Sequence, residues 1–217
     1  MKKKFLVLLG MMMTLLITAC SSGTAQNSSS SAAAPSSSEV PAVSANTEST
    51  INESAGGHKI LVAYFSRSGN TRELANIIQQ QTGGDLFEIV PQDPYPTDYN
   101  QTVERFRRER AENARPAIAD EVDNMADYDV VFVGYPNWGS DMPHVVRTFL
   151  EQYDFSGKTV IPFCTNGGGG FGNSLETLKE LCPDSDVLEG YQVNGRSVSS
   201  SSDAVAQWIN GLGLQNK

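Results

Sequence analysis

The chain has 217 residues, a net charge of −9 from 16 basic against 25 acidic side chains, and 39% hydrophobic residues. An acidic surface argues against nucleic acid as a partner and against electrostatic adhesion to anionic lipid. With three cysteines, two isolated histidines and no metal-ligand spacing, neither a disulfide scaffold nor a zinc module has a basis in the sequence.

Lys2, Lys3 and Lys4 precede an apolar run from residue 5 to residue 19. That run is shorter than the roughly 20 residues a spanning helix needs, and a basic start with a short apolar core reads as an export signal. It ends in Ile17-Thr18-Ala19-Cys20, which resembles the bacterial lipoprotein box. The resemblance implies that residues 1–19 are a signal peptide and that the sulfur of Cys20 carries a diacylglyceryl group. An ordinary secretory signal with a coincidental cysteine is the alternative. Two acyl chains, at about 0.8 kcal/mol per buried CH₂, make a lasting anchor. Residues 21–57 hold 12 Ser and 7 Ala, no Lys or Arg, and only Glu39, Glu48 and Glu53 as acids. Such a composition buries too little apolar surface to offset chain entropy, so residues 20–57 read as a tether with a root-mean-square span of roughly 35 Å. The expected location is the extracytoplasmic face of the cell membrane, held by lipid alone. Without the three lysines the net charge falls from −9 to −12. That suits docking on a basic protein, and equally an ordinary acidic domain.

Residues 58–217 suit one domain of alternating strands and helices. Strand one is the apolar run 60–65 (ILVAYF). Helix one covers about 71–81, with Leu74, Ile77 and Ile78 on one face, Asn70 and Glu73 at capping-box spacing, and Gly83-Gly84 as its stop. Strand two is 85–90, and a proline-broken loop, 91–99, leads to a polar helix near 101–114. There Arg105, Arg107, Arg108 and Arg110 mix with Glu104 and Glu109, the pattern of a solvated face laced with ion pairs; a surface for an acidic partner or substrate is the alternative. Strand three is 129–134, and the next helix carries Val145, Val146, Phe149 and Leu150. Strand four is 159–164, helix four begins near Ser174, and strand five is 187–193. The last helix shows Val205, Trp208, Ile209 and Leu212 at 3.6-residue spacing. Cys164 ends a strand and Cys182 follows a helix, so both read as buried free thiols, although export would permit a disulfide.

Alternating strands and helices predict a three-layer α/β/α fold on a doubly wound, five-stranded parallel sheet. Strands one, three and four are apolar throughout. Strands two and five carry Asp85, Glu88, Glu189 and Gln192, as edge strands do. Edges at two and five give the order 2-1-3-4-5, whose crevice lies at the carboxyl ends of strands one and three.

Three unusual loops open there. The first is Ser66-Arg67-Ser68-Gly69-Asn70-Thr71, a small hydroxyl-rich turn from a buried strand into a helix, which makes a phosphate cradle. It resembles the flavodoxin phosphate loop, T-x-T-G-x-T with Ser allowed for Thr; a plain Ser/Gly turn into a capped helix is the alternative. The second is Tyr135-Pro136-Asn137-Trp138-Gly139-Ser140-Asp141. Its Trp-Gly step is similar to flavodoxins in which Trp lies on one flavin face and the glycine peptide can turn its carbonyl to flavin N5. Asp141 would then oppose negative charge on the ring. A Trp138 that merely plugs the core is the alternative. With Pro143, Val146, Arg147, Phe149 and Leu150, this stretch also resembles a bacterial flavodoxin-like subfamily, one that often has two consecutive Trp where Trp138 and Gly139 stand. The third loop is Thr165-Asn166-Gly167-Gly168-Gly169-Gly170-Phe171-Gly172. In flavodoxins this loop wraps the other flavin edge, which implies ring contacts from Thr165, Asn166, Gly167, Gly168, Gly169 and Gly172, with Phe171 over the second face. It also contains G-x-G-x-x-G, but not in the first strand–helix unit, as a dinucleotide site would require.

The resemblance to flavodoxin-like proteins spans nearly all of residues 59–214 and implies FMN as cofactor, no metal, and no catalytic side chain. It implies an electron carrier working with redox proteins at the membrane. A flavin-dependent reductase of quinones or other small acceptors, and a scaffold lipoprotein without flavin, are the two other readings.

Overall fold

The computed structural model describes residues 57–214. The signal peptide, Cys20 and the tether up to residue 56 lie outside the described residues. A parallel sheet forms the centre. β1 (Ile60–Tyr64) pairs with β2 (Asp85–Glu88) on one side and β3 (Val130–Pro136) on the other, and β4 (Thr159–Asn166) follows β3. The order is 2-1-3-4-5, as the apolar and acid-bearing strands predicted.

The fifth position departs from the continuous strand expected over 187–193. It is two short pieces, β5 (Asp186–Val187) and β6 (Tyr191–Asn194), both paired with β4. Val160 pairs with Val187 and Phe163 with Tyr191, so two residues of β4 face three of its neighbour, a one-residue bulge. Pro162 sits opposite that bulge. The Val160 carbonyl accepts from Leu188 N–H at 3.0 Å, so this side of β4 faces the fifth position, and Pro162 has no N–H to continue the ladder there.

Helices cover both faces. α1 (Asn70–Thr82) and α5 (Ser202–Gly211) bury Leu74, Ile78 and Val205 against Val62, Phe132 and Phe163. On the other face α3 (His144–Gln152) and α4 (Ser174–Leu181) bury Val146, Phe149 and Leu178 against Leu61, Val131 and Val133. α2 (Tyr99–Glu112) lies beside α3 and is capped by Asp98, whose carboxylate accepts from Gln101 N–H at 2.9 Å. The capping box expected from Asn70 and Glu73 does not form. Asn70 is already helical, and Gly69, at φ +95°, takes the cap position with no capping side chain. Cys164 and Cys182 are free and buried, and burial pushes each thiol up to about 12.

Candidate cofactor site

The three loops meet at the carboxyl edge of the sheet around a cleft of about 280 Å³. Ser68 and Asn70 from the first loop, Pro136, Asn137 and Trp138 from the second, and Thr165, Asn166 and Gly167 from the third form its walls. The first loop is drawn tight by the Ser66 hydroxyl, which accepts from Gly69 N–H at 3.2 Å. The first intrahelical bond of α1 runs from Glu73 N–H to the Gly69 carbonyl. The N–H groups of Asn70, Thr71 and Arg72 therefore have no protein acceptor among the described residues.

Two residues of this loop do other work. Thr71 is 1% exposed, and its hydroxyl shares a 2.8 Å hydrogen bond with that of Thr165. It is a strut between the loop and β4 rather than a donor standing open to the cleft. Arg67 turns outward: its Nε donates to Thr102 Oγ1 at 3.1 Å and its Nη2 to the Thr97 carbonyl at 2.6 Å.

The second loop folds back on itself. Trp138 and Asp141 exchange two backbone hydrogen bonds, with Gly139 at φ +59° and Ser140 at φ +67° between them. Two successive left-handed residues make a type I′ turn, which strongly favours glycine. The Gly139 carbonyl accepts from Arg110 Nη1 at 3.1 Å, so in this conformation it faces α2 and not the cleft. Asp141 is also engaged elsewhere. Its Oδ2 pairs with Arg147 at 2.5 Å and accepts from Thr177 at 3.2 Å, which removes it as a free negative charge at the rim.

Trp138 is steadied by three rings, with centroids 5.5 Å away at Phe65, 5.0 Å at Tyr95 and 5.7 Å at Phe106, all near-perpendicular. It is thus both packed and cleft-lining. Tyr95 is fixed in turn: its hydroxyl donates to Glu109 Oε2 at 2.7 Å, and Arg105 lies 4.2 Å over its ring. Burial and the Glu109 carboxylate raise the Tyr95 phenol far above its ordinary value. Arg105 and Glu109, expected on a solvated face, instead form an almost wholly buried pair at 2.7 Å.

In the third loop Asn166 Oδ1 accepts from Gly168 N–H at 2.7 Å, and Asn137 Nδ2 donates to the Gly170 carbonyl at 2.6 Å. The first bond braces the third loop, and the second ties it to the second loop. Gly168 and Gly169 do not line the cleft, and Gly172 packs on the backbone of Ser140. Phe171 does not cover the cleft. It is partly buried against the core on the α3 and α4 face, and a Cβ on Gly190 would come within 2.7 Å of its ring.

The cleft has a fourth wall that the sequence reading missed, formed by Asn194, Gly195 and Arg196 after β6. Asn194 Oδ1 accepts from Arg196 N–H at 3.0 Å. Gly195 allows the approach to the first loop, since a Cβ there would lie 2.4 Å from Asn70 Nδ2. Arg196 brings the wall's cationic side chain. The signal was available: residues after the last strand of a parallel sheet emerge at the same edge as the ligand loops.

Residues 59–212 match the pattern of the family described as Flavodoxin. The chain belongs to the flavodoxin family. A protein assigned as a flavoprotein from Bacteroides eggerthii is 39% identical over 69% of this flavodoxin chain and 98% of its own, with a TM-score of 0.59. One from Bacteroides uniformis is 34% identical over 70% and 98%, with a TM-score of 0.64. A flavoprotein from Lactobacillus acidophilus in complex with FMN is 22% identical over 66% and 97%, with a TM-score of 0.56, and speaks for the shared fold alone.

Proposed function

We propose that this flavodoxin binds FMN in the cleft between residues 66–71, Trp138 and residues 165–167, and carries electrons between redox proteins. The observation that carries the reading is the open start of α1. Three N–H groups without a partner among the described residues sit at the positive end of a helix dipole, at a cleft that Ser68 and Arg196 also line. A phosphate monoester supplies the charge and the acceptor oxygens that this set lacks. The third loop fits the same ligand. A Cβ on Gly167 or Gly168 would meet nothing within 4 Å, so the backbone there is open to a ring edge.

A bound flavin supplies the storage of electrons. The chain's own residues hold the phosphate, place Trp138 against the ring and offer main chain to its polar edge. No acid or base is required of them: Asp141 is held by Arg147, and the Cys164 thiol, pushed up to about 12 by burial, stays protonated at neutral pH. Family membership supports a carrier over an NAD(P)H-dependent oxidoreductase. The finer part of the proposal is a member of a lipoprotein subfamily, anchored through Cys20 on the outer face of the cell membrane, with basic redox proteins as partners. It rests on the box at residues 17–20 and on the acidic charge.

The deciding experiment is a visible absorption spectrum of the purified chain after incubation with FMN and removal of the excess. Retained flavin bands, bleached by dithionite and inert to NAD(P)H alone, support the carrier. A protein that stays colourless removes the cofactor and the function together. Retention in the membrane fraction, lost in Cys20→Ala, tests the anchor separately.

A further inference from the structure

A second hollow, of about 320 Å³, lies between α2 and the Trp138 turn, and the proposed carrier function does not use it. Its apolar wall is made by Val103, Phe106 and Trp138, and Tyr99 stands at its mouth, 69% exposed. Three arginines, Arg67, Arg107 and Arg110, line it, and no carboxylate does.

These arginines differ from others in the molecule. Arg72, Arg105, Arg115 and Arg147 each pair with a carboxylate. Among the described residues, Arg67, Arg107 and Arg110 pair with none; nor do Arg108 and Arg196, but those two do not line this hollow. Arg67 is held by the Thr102 hydroxyl and the Thr97 carbonyl, Arg110 by the Gly139 carbonyl, and Arg107 has no hydrogen-bond partner among the described residues. In a chain of net charge −9, three unneutralised guanidinium groups meet at one aromatic-walled hollow. Guanidinium forks match planar oxyanions, and aromatic walls match planar rings. An amphipathic hollow of this size is also near the lower end of small-ligand sites.

We propose that this hollow binds a small planar aromatic carboxylate, with the ring against Phe106 and Trp138 and the carboxylate at Arg107 and Arg110. Asn137 and Trp138 line both this hollow and the cofactor cleft, so the two ligands share a wall without sharing a site. The proposal goes beyond the flavin reading and does not depend on it.

The test is calorimetric titration of the purified full chain, with and without saturating FMN, using 2-naphthoate as the anion and 2-naphthalenemethanol as its neutral analogue. Naphthoate is expected to bind one per chain, at least tenfold more tightly than the alcohol, with an affinity that FMN leaves unchanged. Arg107→Glu, which removes no hydrogen bond or ion pair among the described residues, should weaken naphthoate at least tenfold, while Arg107→Lys retains most of the binding. Arg110→Ala should weaken it too, with a thermal melt reporting whether the Gly139 turn survives. Equal binding of acid and alcohol overturns the proposal. So does indifference to Arg107→Glu, or absence of binding at millimolar ligand. Displacement of naphthoate by FMN would place the probe in the cofactor cleft and overturn the second site while leaving the flavin reading intact.

Discussion

The two hollows on either side of Trp138 both suit anions, but they are made of different material. The cofactor cleft offers main-chain N–H groups at the start of α1, with Arg196 at its wall. The other offers side-chain guanidinium groups, two of them from α2. Main-chain donors are placed by the fold itself, wherever a strand hands over to a helix. Side-chain donors depend on how one helix is rotated about its axis and on which neighbours claim each arginine first. On α2, Glu109 and Asp93 claim Arg105, while Arg107 and Arg110 are left to the hollow.

That contrast can be broken at several points. The largest effect is expected from Glu109→Ala, which leaves the mostly buried Arg105 only the exposed Asp93 as counter-charge and removes the acceptor of Tyr95; unfolding in urea should show a loss of about 3 kcal/mol. Because Tyr95 and Phe106 both brace Trp138, this change should disturb both hollows. Ser68→Asp places a carboxylate among the proposed phosphate donors. Flavin affinity, followed by fluorescence quenching, should fall about 100-fold, or roughly 2.7 kcal/mol, while 2-naphthoate binding is untouched. Thr71→Val leaves the Thr165 hydroxyl buried without its partner. A stability loss of about 1–2 kcal/mol is expected in urea, felt at the cleft and not at α2.

The smallest effect is a pH dependence on the α2 side. His144 contacts Phe106, and its Nδ1 lies 2.8 Å from the Ala114 carbonyl. Burial first, then the nearby positive charges of Arg147 and Arg115, lowers its pKa below the ordinary 6.5, against a raising bond to Ala114. The unfolded chain therefore takes up this proton first. As pH falls below about 6.5, stability drops until the folded histidine also titrates, and it rises with pH in that window. Urea titrations of the native chain and of His144→Gln between pH 7 and 5 should converge on the acid side.

Strand order was legible because burial is written into composition: β1 and β3 are apolar throughout, while β2 carries Asp85 and Glu88. The tight turn at residues 66–71 was legible for the same local reason, a buried strand meeting Ser, Gly and Thr before a helix. What escaped the sequence depends on distant partners. Asp141 turns to Arg147 and Thr177, Phe171 settles by Gly190, and Thr71 finds Thr165, 94 positions away. The bulge after β5 was in plain view as Pro162, but a proline matters only once the neighbour on its donor side is known. Gly69 took the cap position from Asn70 because its left-handed backbone alone turns the chain into α1.

The described chain begins at Gly57 and passes almost at once into the amino end of β1. In a parallel sheet every ligand loop emerges at the other end. The amino end of β1 thus lies at the edge of the sheet opposite the cleft. Entry strand and cleft at opposite ends of the sheet leave the loop rim clear of any load applied at Gly57.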